Sequence, residues 1–236
     1  MHVILVRHGR PHSVVDSITV ADPSLDQIGC WQVERLTSWL ACEEIDAVVT
    51  SPKERAIQTA AGVCATQGLA YQIMDGFNEI DRCAHTYLPT EILHTEGGKY
   101  WEMISQKRYE EIGWDSPDTF RSRVVTCWNE LCRNPPGKRV LLSCHAGTIG
   151  AILAEVVGSA SATFHLDYAS ISRVEVTLGS GGTNSNDSPN EPSCSVISTN
   201  ETAHFDAERT IAVGAFRGAP RPGTTFTQQR GTALQS

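Results

Sequence analysis

The sequence predicts an α/β fold, a three-layer α/β/α sandwich around a mostly parallel central sheet, and three observations lead there. Strand and helix signals alternate through the first two thirds of the 236 residues, the pattern of a parallel sheet covered by helices. Two apolar runs, His2 to Val6 and Lys138 to Cys144, have the length and composition of strands. Helix-start signals stand directly after predicted strands, at Ser51-Pro52-Lys53-Glu54, and before an amphipathic stretch at Asp26.

In chain order, His2 to Val6 is the first strand, and Asp26 is placed to cap a helix running to about Ala41. That helix carries Ile28, Val33, Leu36 and Leu40 as an apolar stripe at helical spacing. Ile45 to Thr50 is the second strand. Ser51, Pro52 and Glu54 then offer a cap, a proline for the first helical position and an acid three residues after the cap, for a helix to about Gln67. A third strand, Leu69 to Met74, precedes a long irregular stretch over 75–117 with only short helical patterns. Long loops in compact domains are usually functional lids. Ser116-Pro117 opens a helix through about Cys132, Asn134 to Gly137 turns the chain into the Lys138–Cys144 strand, and Gly147 to Val157 is helical. Ile171 to Leu178 alternates as a strand, 179–193 reads as a mobile loop, and a partner strand is expected near Cys194 to Asn200. The domain is expected to span 1–212. A Gly, Pro, Thr and Gln-rich tail follows, expected to be disordered or irregular over 213–236.

Composition bounds the function. With 40% hydrophobic and 19% charged residues the chain can bury one sizeable core, and its net charge of -8 argues against a nucleic-acid or anionic-membrane surface. Eight cysteines are scattered without a CxxC pair, which reads as reduced, packed thiols rather than a disulfide framework. No run approaches the ~20 apolar residues of a spanning helix, and the N-terminus enters a strand directly. The expectation is a soluble, cytoplasmic protein, with the acceptor-like Asn186-Asp187-Ser188 a chance match. No heptad or self-complementary face decides the oligomeric state.

Chemistry-bearing residues fall at strand ends. Arg7-His8-Gly9 follows the first strand, Ser51 to Ala56 the second, and His145-Ala146-Gly147 the strand ending at Cys144. In a parallel sheet these carboxyl ends share one edge, so Arg7, His8, Arg55 and His145 are expected to converge. Two guanidinium forks suit a tetrahedral oxyanion, and a helix start beside Gly147 adds backbone N–H groups. An imidazole there can act as a nucleophile. Taken singly, each residue has an ordinary reading: Arg-His after a strand is commonly a solvated strand end, and Lys53 and Arg82 are by default solvated charges. Cys144 points to the opposite face from His145 and is expected to be packed, and no metal is expected at either histidine.

These segments together resemble the histidine phosphatase superfamily, which includes the phosphoglycerate mutases. Arg7-His8-Gly9 is similar to its RHG signature, and Leu25, Gly29 and Gln32 to an L-T-x-x-G-x-x-Q segment in which Asp26 replaces Thr. Ser51-Pro52, Arg55-Ala56 and Thr59-Ala60 resemble a further motif, with Lys53 where Leu is usual. Phe77 to Asp81 resembles the L-N-E-I-D stretch of the fructose-2,6-bisphosphatase branch, Ser143-Cys144-His145 the second histidine, and Asn200 to His204 the closing segment. The resemblance spans about Met1 to Phe205 and implies a phosphoglycerate mutase-like fold. It implies a metal-independent phosphatase, without cofactor, acting on a small phosphorylated substrate. His8 would become a phosphohistidine, Arg7, Arg55 and His145 would hold the phosphoryl oxygens, and Glu79 would protonate the leaving oxygen, with Asp81, Glu91 or Glu96 as other candidates for the acid. A neutral His8 needs an acceptor for its second nitrogen, for which the Gly9 carbonyl is the candidate. Arg10, Arg82 and His204, with His85 and Tyr87 of the lid, are candidates for reading the rest of the substrate. The continuation Arg10-Pro11-His12 departs from the glycolytic mutases, which makes hydrolysis the leading expectation, ahead of a phosphomutase or a non-catalytic phospho-ligand module.

Overall fold

A computed structural model describes residues 1–178 and 192–208. The chain divides into two compact units, Met1–His204 and Phe205–Ser236, and the sheet, its helices and the cavity belong to the first. The expected 179–193 loop, up to residue 191, the Asn186 sequence and the 213–236 tail lie outside the described residues.

The elements follow the order β1 (His2–Arg7), α1 (Gln27–Leu40), β2 (Ala47–Thr50), α2 (Glu54–Gln67), β3 (Tyr71–Ile73), α3 (Thr90–Glu96), α4 (Lys99–Ser105), α5 (Pro117–Arg133), β4 (Arg139–Cys144), α6 (Ala146–Val156), β5 (Ile171–Leu178) and β6 (Pro192–Glu201). One sheet orders its strands β3-β2-β4-β1-β5-β6. β1, β2, β3 and β4 run parallel, with Arg7 opposite Cys144 and Thr50 opposite Ser143. β5 and β6 form an antiparallel pair at the other edge, β5 lying antiparallel to β1. The sheet is thus mostly parallel, and β6 begins at Pro192, inside the segment that composition assigns to a loop.

Alternation along β1 sorts the two faces. Val3 and Leu5 join Val140, Leu142, Phe120, Trp128, Ile149 and Leu153 in one core beneath α5 and α6. The opposite face meets α2, where the Ser143 hydroxyl donates to the Ala56 carbonyl at 2.8 Å. Both faces are buried, so β1 and β4 need apolar side chains on each; every fully buried Leu or Ile contributes about 1.5–3 kcal/mol. The Cys144 thiol is buried in the first core, and burial pushes its pKa up, so it behaves as packing.

Helix starts test the capping logic. Asp26 accepts from the Gly29 N–H and Ser116 from the Thr119 N–H, with Pro117 at the first helical position, as the sequence predicts. Ser51 does not cap α2. That helix begins at Glu54 with Lys53 as the flanking residue, and the Ser51 hydroxyl is committed to His145 instead. Lys53 is likewise no solvated charge: it is buried, and its ammonium donates to the Ala21 carbonyl at 3.1 Å and the Arg82 carbonyl at 3.3 Å. One lysine therefore ties the loop before α1 to the segment after Glu79. The 75–117 stretch holds α3, α4 and short 3-10 turns at Asp75–Phe77 and Glu110–Ile112.

Candidate active site

β1 delivers Arg7 and His8 to the carboxyl edge, where both are buried. The His8 N–H donates to the Cys144 carbonyl at 2.9 Å, extending the β1–β4 ladder one residue beyond the strand. Gly9 then passes so close to α1 that a Cβ there would meet the Gly29 carbonyl oxygen at 2.8 Å, and a Cβ on Gly29 would collide with the Arg10 carbonyl oxygen, which explains glycine at both positions. The Gly9 N–H donates to Thr59 Oγ1 at 3.0 Å, and the Arg10 N–H to Gln32 Oε1 at 2.9 Å. Leu25, Gly29 and Gln32 thus belong to the scaffold that fixes the turn after His8.

His8 Nδ1 lies 2.8 Å from the Gly9 carbonyl oxygen. A carbonyl only accepts, so Nδ1 carries the proton and Nε2 presents its lone pair. Burial holds the His8 pKa well below 6.5, and Arg55 and Arg7 push it further down, so the ring is neutral at neutral pH. His145, whose ring centroid is 5.1 Å away, is held neutral in the same way by burial and then by Arg55. Ser51 Oγ lies 2.7 Å from His145 Nε2 and accepts from the Lys53 N–H at 3.3 Å. The hydroxyl can donate its proton to Nε2, and a His145 ring that accepts there carries its own proton on Nδ1. That buried atom makes no hydrogen bond within the protein.

Two arginines frame these rings. Arg7 donates from Nη1 to the Leu166 carbonyl at 2.7 Å, and its guanidinium lies 3.6 Å over the Tyr168 ring. Arg55 is fully buried, 3.4 Å from Asp81 Oδ1 through Nη2, with its guanidinium 4.5 Å from the Tyr87 ring centre. Its Nε and Nη1 make no hydrogen bond. Buried guanidinium N–H groups without acceptors are costly, and an oxyanion would satisfy them.

Glu79 stands opposite. Its Oε2 accepts from the Gly147 N–H at 2.9 Å and its Oε1 from the Ile80 N–H at 2.8 Å. Burial raises its pKa above 4.5 and the neighbouring Asp81 adds to this, against the two N–H donors and Arg55. Arg123 of α5 fixes the segment, donating to the carbonyls of Gly76, Asn78 and Glu79 at 3.0, 2.8 and 3.1 Å while pairing with Asp115 at 2.7 Å. Arg7, His8, Arg55, Glu79 and Asp81 line one cavity of about 440 Å³, with Tyr87, Trp114 and Gly147 among its other walls.

The family model of the histidine phosphatase superfamily (branch 1) matches residues 3–185. The chain belongs to the histidine phosphatase superfamily. Solved structures repeat the fold at low identity. A putative alpha-ribazole-5'-P phosphatase from Escherichia coli superposes with a TM-score of 0.63 at 20% identity, covering 85% of this chain and 97% of its own. A mycobacterial glucosyl-3-phosphoglycerate phosphatase gives 0.61 at 19%, covering 85% and 99%. A phosphoserine phosphatase from Entamoeba histolytica, solved with 3-phosphoglyceric acid, gives 0.60 at 18%, covering 86% and 98%. No curated protein matches the sequence significantly.

Of the superfamily positions expected from sequence, Arg7, His8, Arg55, Glu79 and His145 come together here. The three substrate-reading candidates do not line the cavity. Arg10 pairs with Asp26 at 2.5 Å, Arg82 with Asp115 at 3.0 Å, and the His204 ring sits 6.3 Å from that of Trp39 on α1. Ion pairing wins for both arginines, because each has a carboxylate within reach on the scaffold. His85 is exposed, with Nδ1 2.9 Å from the Ser17 carbonyl oxygen, whereas Tyr87 does line the cavity. Among the other acid candidates Asp81 is engaged by Arg55 and Glu96 is exposed, while the Glu91 side chain lies outside the described residues. Tyr168, Ser51 and Arg123 escaped sequence reasoning in these roles, since nothing local marks an aromatic, a hydroxyl or a helix arginine for a distant partner.

Proposed function

We propose that this chain is a metal-independent phosphatase that hydrolyses phosphomonoesters through a phosphohistidine on His8. The observation that carries the reading is the neutral imidazole, its Nδ1 proton held by the Gly9 carbonyl, between two buried arginines. His8 Nε2 forms a bond to phosphorus as the ester P–O bond breaks. In its protonated form, favoured by burial and the neighbouring Asp81, Glu79 gives its proton to the leaving alkoxide oxygen. The Glu79 carboxylate then takes a proton from water, whose oxygen attacks phosphorus as the P–N bond breaks, and phosphate leaves with His8 restored.

Phosphoryl transfer asks for positioning and charge neutralisation more than covalent assistance. Arg7 and Arg55 supply charge, and the Arg55 Nε and Nη1 groups, which make no hydrogen bond within the protein, together with His145 Nδ1 supply hydrogen bonds to equatorial oxygens. Quenching into alkaline denaturant during turnover of an aryl phosphate, which preserves the acid-labile P–N bond, should trap wild-type protein heavier by one phosphoryl group, and His8→Ala should trap none. Full hydrolysis by His8→Ala would refute the nucleophile.

A further inference from the structure

Resting on the phosphatase reading, the cavity also speaks to the leaving group. We propose that the substrates are phosphomonoesters of neutral apolar or aromatic alcohols, and that esters bearing a second anion are poor ones. Past the phosphate-binding floor, the wall is built by Ile80, Leu88, Leu93, Trp114 and Phe164. These residues come from the segment after Glu79, the lid, its far end and the chain after α6, so the apolar lining surrounds the leaving group on several sides. About 440 Å³ is a volume that encloses a phosphoryl group together with a ring.

Charge points the same way. Among the described residues lining the cavity the cations are Arg7 and Arg55, and they face the carboxyl groups of Glu79 and Asp81. Arg55 already faces Asp81 at 3.4 Å and Asp22 at 4.0 Å, and the two guanidinium groups also have to meet the incoming phosphoryl dianion. The positive charge is therefore fully used by the group that reacts. A carboxylate or second phosphate would enter an apolar wall without a cation and near Asp81, where unpaired charge is heavily penalised. The guanidinium groups of Arg10 and Arg82, which could otherwise have met it, are held by Asp26 and Asp115. An aromatic leaving group instead loses water-exposed apolar surface against Trp114 and Phe164.

The test uses a pair of esters alike in shape, 4-methylphenyl and 4-carboxyphenyl phosphate, on the full chain. We expect kcat/KM for the methyl ester to be at least about ten-fold higher. This runs against leaving-group quality, because the carboxyphenol is the better leaving group. Trp114→Ala and Phe164→Ala should each narrow that ratio, and Leu88→Arg should move it toward the carboxy ester. Equal or faster turnover of the carboxy ester, with phosphohistidine still trapped, overturns this proposal and leaves the phosphatase reading standing. Absence of both turnover and trapped phosphohistidine overturns the two together.

Discussion

Gly147→Ala isolates the position of the acid from its chemistry. A Cβ built at Gly147 comes within 3.0 Å of both Cδ and Oε2 of Glu79, and closer still to Oε1. Carbon atoms pack at about 3.5–4.0 Å, so the carboxylate has to retreat by about 0.5–1 Å. Its hydrogen bond from the Gly147 N–H, 2.9 Å in the native protein, is lost or stretched with it. A displacement near 1 Å from productive geometry costs about 10²-fold in rate. Position 147 lies in the first turn of α6, where alanine is favoured over glycine by up to ~1 kcal/mol, so the fold is not weakened. The expected result is a loss of about 10²-fold in kcat/KM for phenyl phosphate, a smaller loss for 4-nitrophenyl phosphate, whose leaving group needs little protonation, and an unchanged or raised Tm. Full activity on phenyl phosphate, or an equal loss on both esters, would refute the role assigned to Glu79.

The pH profile of kcat/KM should be bell-shaped. Its acid limb, from protonation of His8, lies below 6.5 because burial and the arginines lower that pKa; its alkaline limb follows ionisation of Glu79, raised above 4.5 by burial and Asp81. Asp81→Asn removes one of the influences raising Glu79, so the alkaline limb should move to lower pH, and a limb that stays put excludes Glu79 as the titrating acid. Ser51→Ala removes the hydroxyl that orients the His145 ring and should lower kcat/KM by about 10-fold or more, as losses of orienting partners do, with circular dichroism unchanged. Lys53→Leu leaves the Ala21 and Arg82 carbonyls without their ammonium donor and should lower stability by about 1–3 kcal/mol in urea titration.

Those variants also mark where sequence reasoning reaches and where it stops. Arg7, His8 and His145 were legible because each follows an apolar run, and a parallel sheet carries the ends of such runs to one edge. Asp26 and Ser116 were legible as caps because capping is local. Ser51 misled for the opposite reason: its local pattern is that of a cap, but a histidine 94 positions away holds its hydroxyl. Lys53 looked solvated because a sequence does not display the two carbonyls that make its burial tolerable. Arg10 and Arg82 looked available for substrate because Asp26 and Asp115 reach them only in the folded chain. Arg123 and Tyr168 carry no local signal at all, since their roles are defined by the backbone carbonyls and guanidinium they meet.

The place of β4 in the sheet has a kinetic consequence. β1, which leads directly into His8, pairs on one side with residues 139–144 and on the other with residues 171–175, and β4 is also what separates it from β2 and Arg55. During synthesis the first strand therefore waits, unpaired on both edges, until more than half of the chain has emerged, while α1 and α2 can form from near neighbours. Contacts of such separation carry the full entropy of loop closure and come late. In refolding from urea, helical circular dichroism should return ahead of phosphate binding, and phosphatase activity should report the closing of the sheet rather than the recovery of secondary structure.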